Sequence, residues 1–288
     1  ECLDPKNKNF FFVGLLEEKF SKKVKSKYAI AFNSGTSTLH ACLAALNVGY
    51  EDEVITPAQT VIMCTFAILA RNAKPVYADI DSNTLNIDPK DIERKITKKT
   101  KAIIAVHMHG LSANMIEIMK ISKKYNIPVI EDSAQCVLGK IGKKLSGSFG
   151  QLTSYSFETK KHLSGFEGGM VTTNDKFLAE KVRKFGGLGY KTLKASRSLT
   201  SLLPSIFQNP YFKRHDSLGL NYRMNEITAA VVLGQLEKLE ILVKRRIKVA
   251  NLFLSAIKGC EWLIPQFVPK NYKNTYWTIA LKYYGEEK

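Results

Sequence analysis

Short, wholly apolar runs alternate with amphipathic stretches along most of the 288 residues. That alternation predicts an α/β fold: a three-layer α/β/α sandwich around a mostly parallel sheet, because strands without an apolar/polar rhythm are covered on both faces. A second observation agrees. The turn Ser34-Gly35-Thr36, the run Pro57-Ala58-Gln59, His107 and Asp132 each stand just past an apolar run, and ligands in parallel sheets gather at the carboxyl ends of strands. Thirdly, a long helical pattern opening at Met224 or Asn225 leads to a new strand-like run, Tyr276 to Tyr284. It predicts a large domain over 1–237 and the start of a smaller, truncated α+β domain over 238–288.

The elements follow in order. Gly14 to Tyr28 reads as an amphipathic helix, with Leu15, Leu16, Phe20 and Val24 on one side and lysines opposite. Ala29 to Phe32 is a short strand, and Thr38 to Asn47 a helix. Glu53 to Pro57 is a strand, Thr60 to Asn72 a helix, and Lys74 to Asp79 a strand. Asp88-Pro89 opens a helix to about Ile96, since Asp caps and Pro suits the first turn. Lys101 to Val106 and Ile127 to Ile130 are apolar strands around a helix from Ala113 to Tyr125. Tyr155-Ser156-Phe157 and Met170 to Thr173 are strand-like, Lys176 to Phe185 helical, Ser196 to Asn209 a polar surface loop, and the final long helix runs to about Val249.

Composition narrows the function classes. Hydrophobic residues make up 45% and charged residues 24%, as in ordinary globular domains. Lys+Arg 43 against Asp+Glu 26 gives +17, which invites a nucleic-acid or polyanion reading. The cations are scattered, however, in pairs such as Lys22-Lys23, Lys143-Lys144 and Arg245-Arg246, with no basic block or basic-aromatic ladder. A solvated surface is the plainer reading, and an anion-attracting face the sharper one. The five cysteines, Cys2, Cys42, Cys64, Cys136 and Cys260, show neither C-x-x-C nor metal-site spacing. Four lie in apolar runs, which points to a reducing, cytoplasmic compartment. No apolar run is long enough to span a membrane. Residue 1 is not Met, and the sequence stops just after a strand-like run, so both ends read as cut from something longer.

The chemistry centres on Tyr155 to Gly169. Lys160 and Lys161 lie between two buried-looking strands, where low dielectric disfavours the ammonium and a neutral amine can condense with an aldehyde. Asp132, after a buried strand, needs a cation or strong donor, and a protonated pyridine nitrogen is one; a capping role is the plainer alternative. Gln135 could reach the same ligand or simply meet solvent. The strand-turn-helix at Gly35-Thr36-Ser37 is a ready anion site, although Ser34 or Thr36 there also reads as an ordinary cap. Ser156 adds a hydroxyl. Amine, carboxylate and anion pocket together are what pyridoxal 5′-phosphate requires.

In this order the motifs resemble a known family. Asn33 to His40 resembles S-G-T-x-x-L-H; Asp52 to Thr60, D-E-V-I-x-P-A-x-T; Ile130 to Gln135, I-E-D-x-A-Q. Ser156-Phe157 to Gly168-Gly169 resembles S-F-x-x-x-K-x-L-x-x-G-E-G-G. Asn221 to Glu226, with Gln235 to Leu239, is similar to N-Y-R-M-x-E and Q-L-x-x-L. These are motifs of the DegT/DnrJ/EryC1/StrS sugar aminotransferases.

The resemblance implies a fold-type-I pyridoxal-phosphate enzyme, a homodimer with sites at the subunit interface. It would move an amino group, usually from glutamate, to a keto group of a nucleotide-linked deoxysugar for polysaccharide or glycan synthesis. It implies Lys161, not Lys160, as the cofactor-bearing lysine, Asp132 as partner of the pyridine nitrogen, and Gln135 beside the ring. Gly35, Thr36, Ser37 and Ser156 match the phosphate contacts, and Asn221 the segment reaching across from the neighbouring subunit. Two positions depart from the pattern: Val61 stands where an aromatic residue or His is usual on the ring face, and Phe166 where a Gly is expected. A dehydratase on the same scaffold is the enzymatic alternative, although relatives of that kind that resemble this family carry His in place of the lysine. The remote alternative is a basic regulatory or nucleic-acid-binding protein.

Overall fold

A computed structural model describes residues 12–196 and 204–285. Helix α1 (Phe12–Val24) buries Leu16, Phe20 and Val24 along one stripe. It stops before the expected Tyr28 because Lys25 turns to φ +59° and the chain then enters strand β1 (Tyr28–Phe32). Helix α2 (Gly35–Ala45) follows, then β2 (Glu53–Pro57), α3 (Met63–Leu69) and β3 (Lys74–Ala78). The expected helix over 60–72 is thus trimmed at both ends; Asn72 at φ +55° reverses the chain into β3. Helix α4 (Pro89–Arg94) is capped by Asp88. Strand β4 (Thr100–Val106), α5 (Met115–Tyr125) and β5 (Val129–Asp132) complete the first half.

A small hairpin, β6 (Lys140–Ile141) and β7 (Lys144–Leu145), precedes β8 (Leu152–Ser156) and β9 (Gly169–Thr173). Then come α6 (Lys176–Gly186), the single turn α7 (Pro204–Phe207), and α8 (Glu226–Ala256). Much of the expected loop over 196–209 lies outside the described residues. Helix α8 outruns its expected end at Val249, because Ala250 still meets the core and the reversal waits for Gly259 at φ +88°. It passes unbroken through the expected domain boundary at 237. The last strands are short: β10 (Leu263–Pro265), β11 (Tyr272–Lys273) and β12 (Leu281–Tyr283). Of the expected strand over 276–284 only β12 forms.

The central sheet has seven strands in the order β1-β9-β8-β5-β4-β2-β3. Pairings from β3 through β8 are parallel, and β9 runs antiparallel to both its neighbours. Alternate residues feed opposite faces. Ile30, Val54, Ile104 and Val171 pack with α2, α3 and α6. Ala29, Ala31, Tyr155 and Met170 pack with α1 and α8, while Ile55, Ile103 and Ala105 pack with α4 and α5. The three-layer, mostly parallel α/β architecture is therefore observed. Buried Glu131 on β5 ties the β7–β8 connection down, accepting from the amides of Gly147, Phe149 and Gly150 and meeting His107 Nε2 at 3.0 Å. Cys42, Cys64 and Cys136 are buried free thiols; Cys260 is half-buried, and Cys2 lies outside the described residues. Among the described residues no helix is long and apolar enough to cross a membrane.

Candidate active site

The carboxyl ends of β5 and β8, the first turn of α2 and the β8–β9 connection enclose a cavity of ≈ 200 Å³. Ser34 caps α2: its side chain accepts from Ser37 N, and Ser37 returns the bond to the Ser34 backbone. That leaves Gly35 and Thr36, which line the cavity, at the positive end of the helix. Gly35 is required by the close approach of β8, since a Cβ there would stand 2.8 Å from Ser156 Cβ. Ser37 is 4% exposed and, besides capping, donates to Asn33 Oδ1 at 2.7 Å; it does not line the cavity.

Asp132 ends β5 and faces the cavity, 2% exposed. Its Oδ1 accepts from Ala134 N at 2.9 Å, and its Oδ2 has a thiol, Cys64 Sγ, at 3.7 Å. Burial pushes its carboxyl above the ordinary range, against the pull of the Ala134 amide and Lys161. Such a carboxylate is a strong attractor for a cation placed in the cavity.

Lys161 reaches in from the β8–β9 connection, half-buried, and burial depresses its ammonium against the opposing charge of Asp132. Lys160 beside it is exposed and outside the lining. A Trp277 ring lies 4.4 Å from Lys161 Nζ, and its Nε1 donates to Lys160 O at 3.1 Å. Arg246 on α8 completes the brace, donating to the carbonyls of Trp277, Lys160 and Lys161. Neither Trp277 nor Arg246 was legible as a site residue, because each reaches the lysine only through the tertiary fold. His162 points elsewhere, with Nε2 3.0 Å from Thr275 O.

Val61 lines the cavity, 42% exposed, with Met63 beside it, and Ser156 lines it from β8. The structure therefore brings together Gly35, Thr36, Val61, Asp132, Ser156 and Lys161. It does not bring in Gln135, which is buried and accepts from His109 N at 2.8 Å. Nor does it bring in Asn221, which is exposed, accepts from Arg223 Nε at 3.1 Å and bridges to Gly187. Glu158 and Glu167 line the cavity as well; Glu167 is the acid of the G-E-G-G-like turn, whereas the sequence offered no reason to separate Glu158 from a solvated acid. Phe166 is 70% exposed at φ +66°, the backbone region that favours Gly.

The donor set fits a phosphorylated pyridine aldehyde: an amine of lowered basicity, a buried carboxylate short of partners, and open helix-terminal amides in one small cavity. A larger cavity of ≈ 530 Å³ between residues 81–93, 112–121 and 267–272 includes Asp81, Asp88, Glu93 and Glu117 in its lining and offers no comparable set.

A family model describing the DegT/DnrJ/EryC1/StrS aminotransferase family matches residues 10–287. The chain belongs to this family. It is 34% identical to the GDP-perosamine synthase of Escherichia coli O157:H7 over 98% of its own length and 72% of the synthase. An aminotransferase from Psychrobacter cryohalolentis superposes with a TM-score of 0.83 at 32% identity, over 92% of this chain and 68% of that one. A GDP-4-keto-6-deoxymannose-3-dehydratase with a trapped PLP-glutamate geminal diamine superposes with a TM-score of 0.86 at 26% identity, over 96% and 73%. The family and this neighbour support pyridoxal phosphate as the cofactor. The chain spans about two thirds of the length of the relatives it matches.

Proposed function

We propose that the protein is a pyridoxal-phosphate-dependent aminotransferase that moves an amino group from glutamate onto a keto group of a nucleotide-linked sugar. The observation that carries this reading is the Lys161 amine sharing one small cavity with buried Asp132 and the first turn of α2. Pyridoxal phosphate, when bound, supplies an electron sink for the carbon that bears the nitrogen. Asp132 would hold a protonated pyridine nitrogen, because a buried carboxylate gains most from a cation it can pair with directly. The Gly35 and Thr36 amides and Ser156 would hold the phosphate. Lys161 Nζ, depressed by burial, is suited both to carrying the cofactor and to taking and returning a proton within the cavity. Val61 would pack on a ring face without aromatic stacking.

Protein reconstituted with pyridoxal phosphate is expected to absorb near the visible edge, and Lys161→Ala to lose that band. An unchanged band in the variant would sink the assignment. Keto-sugar nucleotides offered with glutamate should give amino-sugar in step with glutamate consumed. A deoxygenated sugar without amino product would favour the dehydratase reading, which the 0.86 TM-score to a dehydratase keeps as the second choice.

The proposal includes a homodimer. Asn221 is exposed and outside its own protomer's cavity lining, as suits a residue that serves a neighbour. Mixing Lys161→Ala with Asn221→Ala should then restore part of the activity. We also assign residues 1–237 to the cofactor-binding domain and 238–288 to the smaller one, in a cytoplasmic protein.

A further inference from the structure

Lysines that are scattered in the sequence meet around another cavity, of ≈ 330 Å³. Lys23 and Lys25 come from the end of α1, Lys140 and Lys143 from the β6–β7 hairpin, Lys244 from α8 and Lys273 from β11. Leu138, Leu145 and Val243 supply apolar lining. Glu240 is the one carboxylate in the lining, and its Oε1 is 3.1 Å from Lys23. Among the described residues none of the other five lysines makes a salt bridge. The cavity shares no lining residue with the one around Lys161.

Strand register gives an independent observation. Lys273 stands directly opposite Lys140 in the antiparallel β11–β6 pair. Opposed residues have Cβ atoms about 5 Å apart, where like charges destabilise a sheet. Both side chains are half-buried, so water screens them only in part, and burial followed by Lys140 holds the Lys273 ammonium below its usual value. A strand pair this short gains little stability from its few hydrogen bonds, and the one carboxylate in the lining, Glu240, offsets Lys273 only partly while it is paired with Lys23. An anion between them turns that repulsion into a clamp.

We propose that this cavity binds a diphosphate group, with Lys140 and Lys273 as its central contacts. A phosphate chain concentrates enough negative charge in a small volume to answer six lysines, and a bounded cavity suits a small molecule better than an extended polymer. The apolar lining gives room for a base or ribose, so either free pyrophosphate or a nucleoside diphosphate could bring the group.

The test is thermal unfolding of the chain saturated with pyridoxal phosphate, which keeps added anions off the first turn of α2. Inorganic pyrophosphate should raise the Tm beyond sodium chloride of matched ionic strength. The double variant Lys140→Gln/Lys273→Gln should melt above the wild type without added anion, because the repulsion is gone. It should also lose the pyrophosphate shift, with titration calorimetry showing binding weakened about tenfold or more. Equal shifts with pyrophosphate and chloride, or the same pyrophosphate shift in both proteins, would overturn the site. Should the double variant not fold, Lys273→Gln alone serves, with the same outcomes. Guanosine and uridine diphosphates form the second arm: tighter binding than pyrophosphate, lost in the variant, assigns a nucleotide source, and equal binding assigns free pyrophosphate.

Discussion

Asp132 and Lys161 carry opposite charges in one cavity, and burial works against both. Each is therefore held at some cost until a ligand relieves it. Asp132→Asn keeps an oxygen for the Ala134 amide and removes the buried charge. Without pyridoxal phosphate this variant is expected to be as stable as the wild type or more so, by about 1–2 kcal/mol in urea unfolding. An absorbance titration should show its cofactor affinity sharply reduced. Phe166 holds a left-handed backbone, at φ +66°, with an exposed ring. Phe166→Gly should stabilise the protein by up to about 1 kcal/mol, since relief of strain exceeds the entropy cost of Gly; a lower urea midpoint would show that the ring is needed where it is. At this scale the motifs separated Lys161 from Lys160, and the structure supplies a physical difference: one is half-buried in the cavity, the other exposed. The motif logic did not reveal that Ser37 is occupied by capping or that Gln135 faces His109, because such choices belong to side-chain hydrogen bonds.

Between elements, the telling contact joins α8 to the β8–β9 connection. Arg246 spans three carbonyls, one of them that of Trp277, whose ring lies near the Lys161 amine. Arg246→Ala should leave these carbonyls to water and loosen the lysine turn. The expected result is about 1–2 kcal/mol of lost stability, with faster amide exchange over residues 158–168 than in the wild type. Exchange unchanged there would mean that the brace does not order the turn. The expected strand and helix positions largely agree with the structure because strand burial and helix amphipathicity are local patterns. Ends were less legible: α3 is shorter and α8 longer than expected, and positive φ at Asn72 and Gly259 decides where the chain turns.

Across the whole molecule, buried titratable groups set the response to acid. Burial depresses His40 and His162 to about 4 each, from a usual 6.5. Between those values the unfolded chain holds protons that the folded chain refuses, so stability falls as pH drops from about 6.5 toward about 4. His162 Nδ1 is buried without a partner, and this residue alone accounts for at most about 3 kcal/mol of that loss. His162→Gln, which can still donate to Thr275 O, should flatten the urea-midpoint profile over that interval; an unaltered slope would remove His162 from the account. Glu131 acts in the same direction: burial alone would raise it, but His107 and the surrounding amides outweigh burial and hold it below its usual range. The stability of its ionised form is lost as pH falls through that lowered value.

The sequence by itself determined the layered α/β class and the order of the motifs, because apolar periodicity and turn chemistry are written in neighbouring residues, and its resemblance to a family proposed Lys161 over Lys160. The tertiary structure decided which candidates share the cavity, which residues brace Lys161, and where the lysines of a +17 chain converge. Those are contacts between residues distant in sequence, and packing and strand register alone determine them.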